Sequence, residues 1–279
     1  MSGPQPPVPK PVEETLQDLR AAFRARGSAL VAFSGGVDSA VLAKIAHEEL
    51  GDRALSVIVN SESYAASELE EARRTGDAMG IRYEVVFESE LADPNYAMNP
   101  TNRCYFCRKN LSSALTGMAR ERGYSVVVVG TNLSDLGEWR PGLKALNEAG
   151  AWQPFVEHNV DKAGVRELAR LLGVPVAEKP SMACLSSRIP YGEAITEGKL
   201  RRIEKAEGYV RALGFRQVRV RSLGDVARIE VLPEEIERLN GLFPQVEAAL
   251  RDFGYHTVAV DPRGYRAGSM SEGLRLLNA

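Results

Sequence analysis

The stretch Ala29-Leu30-Val31-Ala32-Phe33-Ser34-Gly35-Gly36-Val37-Asp38-Ser39-Ala40 decides the fold. Its first five residues form an unbroken apolar run, the pattern of a short strand buried on both faces. Ser34 to Ser39 supply turn chemistry, and Ala40 to Leu50 read as a helix ended by Gly51-Asp52. A buried strand that turns through glycines directly into a helix suits an anion. The glycines let backbone N–H groups approach closely, and the helix aims its positive end at the same place. Ser34 and Ser39 offer hydroxyls to phosphate oxygens. Asp38 would repel a phosphate, so its expected work is to hold a magnesium ion that bridges phosphates. No Gly-Lys-Ser/Thr follows, so this is not the Walker loop.

Outward from this loop the rhythm repeats. Residues 12–26 carry apolar positions at helical spacing. Strand-like runs recur at Ala54–Val59, Ile81–Phe87 and Tyr124–Val129, separated by helical stretches at 65–79 and 111–122. A shorter strand-like element lies near Trp152–Val156, and Lys162–Leu172 reads as a helix. This order predicts an α/β fold with a doubly wound parallel sheet. From Ile195 the pattern changes to helix, two adjacent strands (Arg216–Arg221 and Ala227–Val231, turning at Gly224-Asp225), one helix over Pro233–Arg251 and a strand over Tyr255–Val260. That is a smaller C-terminal α+β domain. The expected division is a Pro-rich disordered tail at 1–11, the nucleotide domain at 12–190, the small substrate or oligomerisation domain at 191–265, and a tail at 266–279.

Ligands of open α/β sheets gather at the carboxyl ends of strands. Gly130-Thr131-Asn132-Leu133-Ser134-Asp135 follows the fourth strand and should face the first loop. Asn132 and Asp135 are therefore candidate nucleotide or metal contacts, and Arg140 a candidate guanidinium for phosphate. With Ser34, Gly35, Gly36, Asp38 and Ser39 they make the expected ATP site.

The chain has 279 residues and three cysteines, Cys104, Cys107 and Cys184. An odd count and no apolar leader argue for a reducing compartment, the cytoplasm, rather than a disulfide framework. No run is long and apolar enough to suggest a membrane span. The net charge is −2, which does not point to a nucleic-acid partner. Cys104-Tyr-Phe-Cys107 stands at the start of a helix and precedes Arg108-Lys109, a setting that favours thiolates. Three thiolates could hold a 4Fe–4S cluster with one iron left open. A redox dithiol, a zinc site completed by a histidine, and purely structural thiols are the alternatives. Arg219 and Arg221 alternate along one strand and so share a face, where two guanidiniums suit a phosphate.

Ser34-Gly-Gly-Val-Asp-Ser39 resembles the PP-loop of ATP pyrophosphatases, whose domain is of the adenine nucleotide alpha hydrolase-like type. Cys184-Leu-Ser-Ser-Arg-Ile-Pro-Tyr-Gly192, together with the stretch from Glu204 through Arg219-Val-Arg221 to Arg228-Ile-Glu-Val231, resembles the LarE family. These are ATP-dependent sulfur transferases in biosynthesis of the nickel-pincer nucleotide of lactate racemase. The resemblance covers about Ala29 to Val260. It implies that ATP and magnesium adenylate a carboxylate of a pyridinium dicarboxylate mononucleotide, and that sulfur then displaces AMP to give a thiocarboxylate. It also implies that Cys184 bears the sulfur and that Glu207 is an acidic site residue. Ser187, Arg188, Arg219 and Arg221 would then hold the substrate phosphate, in a protein that forms homo-oligomers. Cys104 and Cys107 match the family's three-cysteine branch, which carries sulfur on a 4Fe–4S cluster and needs a sulfide or sulfur donor. The alternative is that Cys184 surrenders its own sulfur once. More distant alternatives are a tRNA-thiolating enzyme, an amide-forming ligase and a nucleotide-binding module without catalysis.

Overall fold

The computed structural model describes residues 10–137, 141–180 and 183–266. In chain order its elements are α1 (Val12–Arg26), β1 (Ala29–Ala32), α2 (Val37–Leu50), β2 (Ala54–Asn60), α3 (Ala66–Met79), β3 (Tyr83–Phe87), α4 (Pro94–Ala97) and α5 (Arg103–Arg122). They continue as β4 (Val126–Val128), α6 (Pro141–Glu148), α7 (Pro154–Glu157), α8 (Lys162–Leu171), α9 (Glu197–Ala212), β5 (Arg219–Leu223), β6 (Val226–Glu230), α10 (Ile236–Gly241), α11 (Phe243–Asp252) and β7 (Thr257–Val260). Among the described residues, no helix is long and apolar enough to cross a membrane.

The chain divides into two compact units. Of the described residues, the first takes 10–61, 66–88, 104–137 and 141–180. Its parallel sheet has the strand order β3-β2-β1-β4. The chain builds outward from β1 to β3 and then returns to the far side of β1, so the topological switch lies between β1 and β4, where α/β ligands bind. Leu30, Leu55, Val57 and Val127 share one face of the pleat and pack against Leu115 and Ala119 of α5. α2 covers the opposite face and is apolar nearly all round, because α1 and α8 pack on its outer side. The doubly wound α/β architecture read from the sequence is present.

The second unit takes residues 62–65, 89–103 and, of the described residues, 183–266. Its sheet has the order β5-β6-β7, with β5 and β6 antiparallel across a turn at Gly224-Asp225 and β7 parallel to β6. α9, α10 and α11 close its core around Val210, Phe215, Val220, Ile229, Leu239, Val246 and Leu250.

Residues 183–190, at the end of the expected nucleotide domain, pack within the second unit together with two short segments from far upstream. Those segments grip the loop by backbone bonds: Leu185 N–H to Ser63 O at 2.9 Å, Gly192 N–H to Asn99 O at 2.9 Å and Ile195 N–H to Ala97 O at 2.8 Å. The strand expected near Trp152 shrinks to one bridge with Val128, because Pro154 has no N–H to continue a ladder and instead starts α7. The single helix expected over Pro233–Arg251 breaks into a 3-10 turn, α10 and α11, with Pro244 in the first turn of α11. The tails expected at 1–11 and 266–279 lie largely outside the described residues.

One backbone position is decisive for the loop after β1. Gly35 has φ +67°, and a Cβ built there would sit 2.6 Å from Ala72 Cβ on α3. Gly35→Ala combines a left-handed backbone with a clash against the buried Ala72 of α3, so it should cost about 2 kcal/mol or more. Urea denaturation of the variant checks this; an unchanged midpoint would mean that α3 yields freely.

Candidate active site

In the first unit, the loop after β1 is shaped by its own hydroxyls. Ser39 Oγ donates to the Gly36 carbonyl at 3.0 Å and accepts from Ser34 N–H at 3.1 Å, with Ser34 Oγ 3.2 Å away. The residue before α2 is Gly36, which has no side chain to cap the first turn, so the leading amides are left to an anion. The loop after β4 approaches so closely that a Cβ on Gly130 would sit 3.0 Å from both Asp38 Cβ and Ser39 N. Asn132 Nδ2 donates to Asp38 Oδ1 at 2.9 Å, and Asp135 Oδ2 accepts from Asn132 N–H at 3.0 Å. Ser34, Gly35, Gly36, Asp38, Ser39, Asn132 and Asp135, the residues expected to meet ATP, thus lie on two touching loops at the carboxyl ends of β1 and β4. Arg140 lies outside the described residues.

Sequence reasoning missed Lys162. Its Nζ donates to Asp38 Oδ2 at 2.5 Å, so both Asp38 oxygens are engaged. Asp161 caps α8 by accepting from Gly164 N–H, and Ser134 Oγ accepts from Lys162 N–H at 3.1 Å. Asp161 was a legible helix-start signal. Nothing in the sequence indicated that this helix begins beside the phosphate loop.

In the second unit, a 3-10 turn over Leu185–Arg188 follows Cys184, whose side chain is exposed. Arg188 is 1 % exposed and Glu207 fully buried. They form a two-pronged ion pair, Nε to Oε1 at 2.7 Å and Nη2 to Oε2 at 2.9 Å. Nη1 of Arg188 donates to the carbonyls of Ala183 (2.6 Å) and Cys184 (2.8 Å) and to Ser187 Oγ (2.9 Å). Glu207 also accepts from Arg211 at 2.5 Å and from Val220 N–H at 3.0 Å. Burial alone would push the Glu207 carboxyl up, but Arg188, then Arg211 and Arg219, draw it below its ordinary range.

Arg219 and Arg221 lie on the same face of β5 and are both buried, so neither sits on a solvated strand face. Their surroundings differ. Arg221 donates to Glu230 at 2.7 Å and to the Ser187 carbonyl at 3.1 Å. Arg219 donates to its neighbour's carbonyl, Val218 O, and stands 5.4 Å from the Tyr265 ring, with no ion-paired carboxylate among the described residues. Burial lowers its guanidinium to about 10; Arg188 pushes the same way and Glu207 opposes.

Cys104 is exposed and Cys107 half-buried, one helical turn apart on α5 in the first unit, while Cys184 belongs to the second. Among the described residues, no three His, Cys, Asp or Glu side chains gather as a metal site.

Residues 12–190 match the NAD synthase family. Over 92 % of its length, covering 93 % of the relative, the chain is 34 % identical to pyridinium-3,5-bisthiocarboxylic acid mononucleotide synthase of Lactiplantibacillus plantarum. The chain belongs to the NAD synthase family and, within it, to the LarE proteins. This LarE protein is also 42 % identical, over 94 % of its length and 99 % of the relative, to an uncharacterized protein of Synechocystis sp.. Likeness to a glutamine-hydrolyzing GMP synthase chain of Archaeoglobus fulgidus is lower and shorter, 27 % over 66 % of this chain and 61 % of that one.

The Arg188–Glu207 pair of the LarE protein carries a pH signature. The folded Glu207 carboxyl lies below its ordinary value of 4.5, so its stabilising contribution is complete above that value and is lost as pH falls toward the depressed one. Glu207→Gln should destabilise by about 3–5 kcal/mol at pH 7, as expected when one partner of a buried pair is removed. The gap between variant and parent should then narrow as pH falls below 4.5. Urea melts across that range check both points; a gap independent of pH would contradict the ionised pair.

Proposed function

We propose that this LarE protein converts ring carboxylates of a pyridinium dicarboxylate mononucleotide into thiocarboxylates, in biosynthesis of a nickel-pincer nucleotide. As a member of its family it is an ATP-dependent sulfur transferase. One observation carries the finer reading. An exposed thiol, Cys184, is anchored through its own carbonyl by Arg188. In the same unit lies Arg219, a buried arginine with no ion-paired carboxylate among the described residues.

The proposed sequence has two displacements. A substrate carboxylate oxygen attacks the α-phosphorus of ATP, the bond to the β-phosphate oxygen breaks, and pyrophosphate leaves. The amides at the start of α2, with Ser34 and Ser39, receive phosphate oxygens, and Asp38 would hold a magnesium ion, which when bound supplies positive charge to the phosphates. Asn132 and Lys162 keep Asp38 oriented. A sulfur nucleophile then attacks the activated carbonyl carbon, and AMP leaves with the bonding pair. Arg219 is the proposed partner of the substrate's phosphate. Arg221 and Arg188 support the Cys184 turn, and Glu207 fixes Arg188.

The cysteines fit an iron–sulfur cluster in donor type, since none of the three is in a disulfide and Cys104 and Cys107 are spaced for one face of a helix. Cys104, Cys107 and Cys184 would hold it, and when bound it supplies a replaceable sulfide from an external donor. A second reading is favoured by the exposure of Cys184. Its Sγ attacks the adenylate to form a thioester. Loss of the Cys184 α-proton and cleavage of its Cβ–Sγ bond then release the thiocarboxylate and leave dehydroalanine. Both routes suit a reducing compartment, the cytoplasm.

The test is anaerobic, iron-loaded full-length protein with ATP, magnesium, the dicarboxylate mononucleotide and sulfide. One sulfur should replace one oxygen in the product for each AMP and pyrophosphate formed. An unchanged protein mass after several turnovers supports cluster-borne sulfur; loss of one H2S from Cys184 after a single turnover supports sacrifice. Pyrophosphate without any thiocarboxylate rejects the proposal. Asp38→Ala should abolish pyrophosphate release, and a variant that still releases it would remove Asp38 from the metal site.

A further inference from the structure

We infer that a buried hydrogen-bond chain, Glu90–Ser63–Tyr96–Ser186, is the positioning device that holds Cys184 for attack. The inference rests on the sulfur-transfer reading above. All four side chains belong to the second unit, and none is more than 8 % exposed. Ser63 Oγ donates to Glu90 Oε2. The Tyr96 hydroxyl bonds to Ser63 and lies 2.7 Å from Ser186 Oγ.

The carboxylate orients the chain. Ser63 has one hydroxyl proton and gives it to Glu90 Oε2. In the contact with Tyr96 the Ser63 oxygen therefore accepts and Tyr96 donates. Tyr96 can then only accept from Ser186. One buried carboxylate thus sets the sense of three hydrogen bonds, the last of which ends two residues past Cys184.

The chain acts on a turn already tied on its other side. Arg188 holds the carbonyls of Ala183 and Cys184, while Leu185 N–H donates to Ser63 O at 2.9 Å. Ser63 therefore restrains the turn twice, through its backbone carbonyl and through Tyr96. Apolar packing could close the same gap without the cost of burying a carboxylate and three hydroxyls. Hydrogen bonds fix angle as well as distance, which is what the approach of a nucleophile to a carbonyl carbon requires. Because all four side chains are buried beneath the turn, they act through Cys184 and its neighbours rather than on substrate.

Tyr96→Phe removes one hydroxyl and leaves the ring. Thiocarboxylate formation by iron-loaded full-length protein should fall by about ten- to a hundredfold. Substrate-dependent exchange of labelled pyrophosphate into ATP, which reports adenylation and an intact fold, should stay unchanged. Ser186→Ala should repeat this split. Glu90→Ala should also lose transfer, and Glu90→Gln, whose amide oxygen accepts the same bond, should restore it. Transfer at the parental rate in Tyr96→Phe, equal loss of exchange and transfer, or no restoration by Glu90→Gln would each overturn the inference. Absence of exchange in the parent protein would instead reject the function on which it rests.

Discussion

A buried arginine with all three guanidinium nitrogens hydrogen-bonded is the constraint behind the second unit. Arg188 is nearly inaccessible and meets a fully buried Glu207 through two parallel bonds. Removing both charges from water costs several kcal/mol each, and their attraction offsets this only where the remaining donors are also satisfied. The remaining nitrogen satisfies that condition with Ala183 O, Cys184 O and Ser187 Oγ. A lysine could not do this, since its ammonium lacks the planar fork that meets a carboxylate on one side and backbone carbonyls on another. Glu207 in turn ties α9 to β5 through Val220 N–H. The thiol loop, one helix and one strand therefore share a single electrostatic junction.

The first unit solves a related problem with less burial. A carboxylate beside a phosphate crevice repels the ligand it helps to bind, unless a cation stands between them. Asp38 receives a neutral donor from Asn132 and a charged one from Lys162. Lys162 offsets its charge and, with Asn132, restrains its rotamer. The parallel sheet makes this possible. The switch point of this sheet lies between β1 and β4, the place where open α/β sheets bind ligands.

What could be read from sequence was what is local. The apolar runs of β1 and β2, the glycine turn after β1 and the helix it starts all follow from short-range periodicity and backbone freedom, and the structure contains them. The β5–β6 hairpin was legible from Gly224-Asp225 for the same reason. What escaped is long in sequence and short in space. Residues 62–65 and 89–103 read as connections inside the nucleotide domain, yet they hold the turn after Cys184 through Ser63, Tyr96 and Asn99. Lys162 had no signature because an ordinary helix start looks the same wherever the helix begins. The two arginines of β5 were legible as a pair but not as unequal, since their difference comes from Glu230 on the adjacent strand.

That inequality bears on how a phosphate could be recognised. An arginine already paired with a buried carboxylate meets an anion only by breaking that pair, which removes most of the gain. Arg221 is in this position, and its bond to the Ser187 carbonyl makes it part of the scaffold. Arg219 is buried without such a partner among the described residues, and its lowered guanidinium expresses the cost of holding that charge out of water beside Arg188. A dianionic phosphate arriving there would relieve that cost while satisfying its own charge-assisted bonds. The strand thus carries one arginine that maintains the thiol turn and one buried without a carboxylate partner among the described residues, two residues apart on the same face.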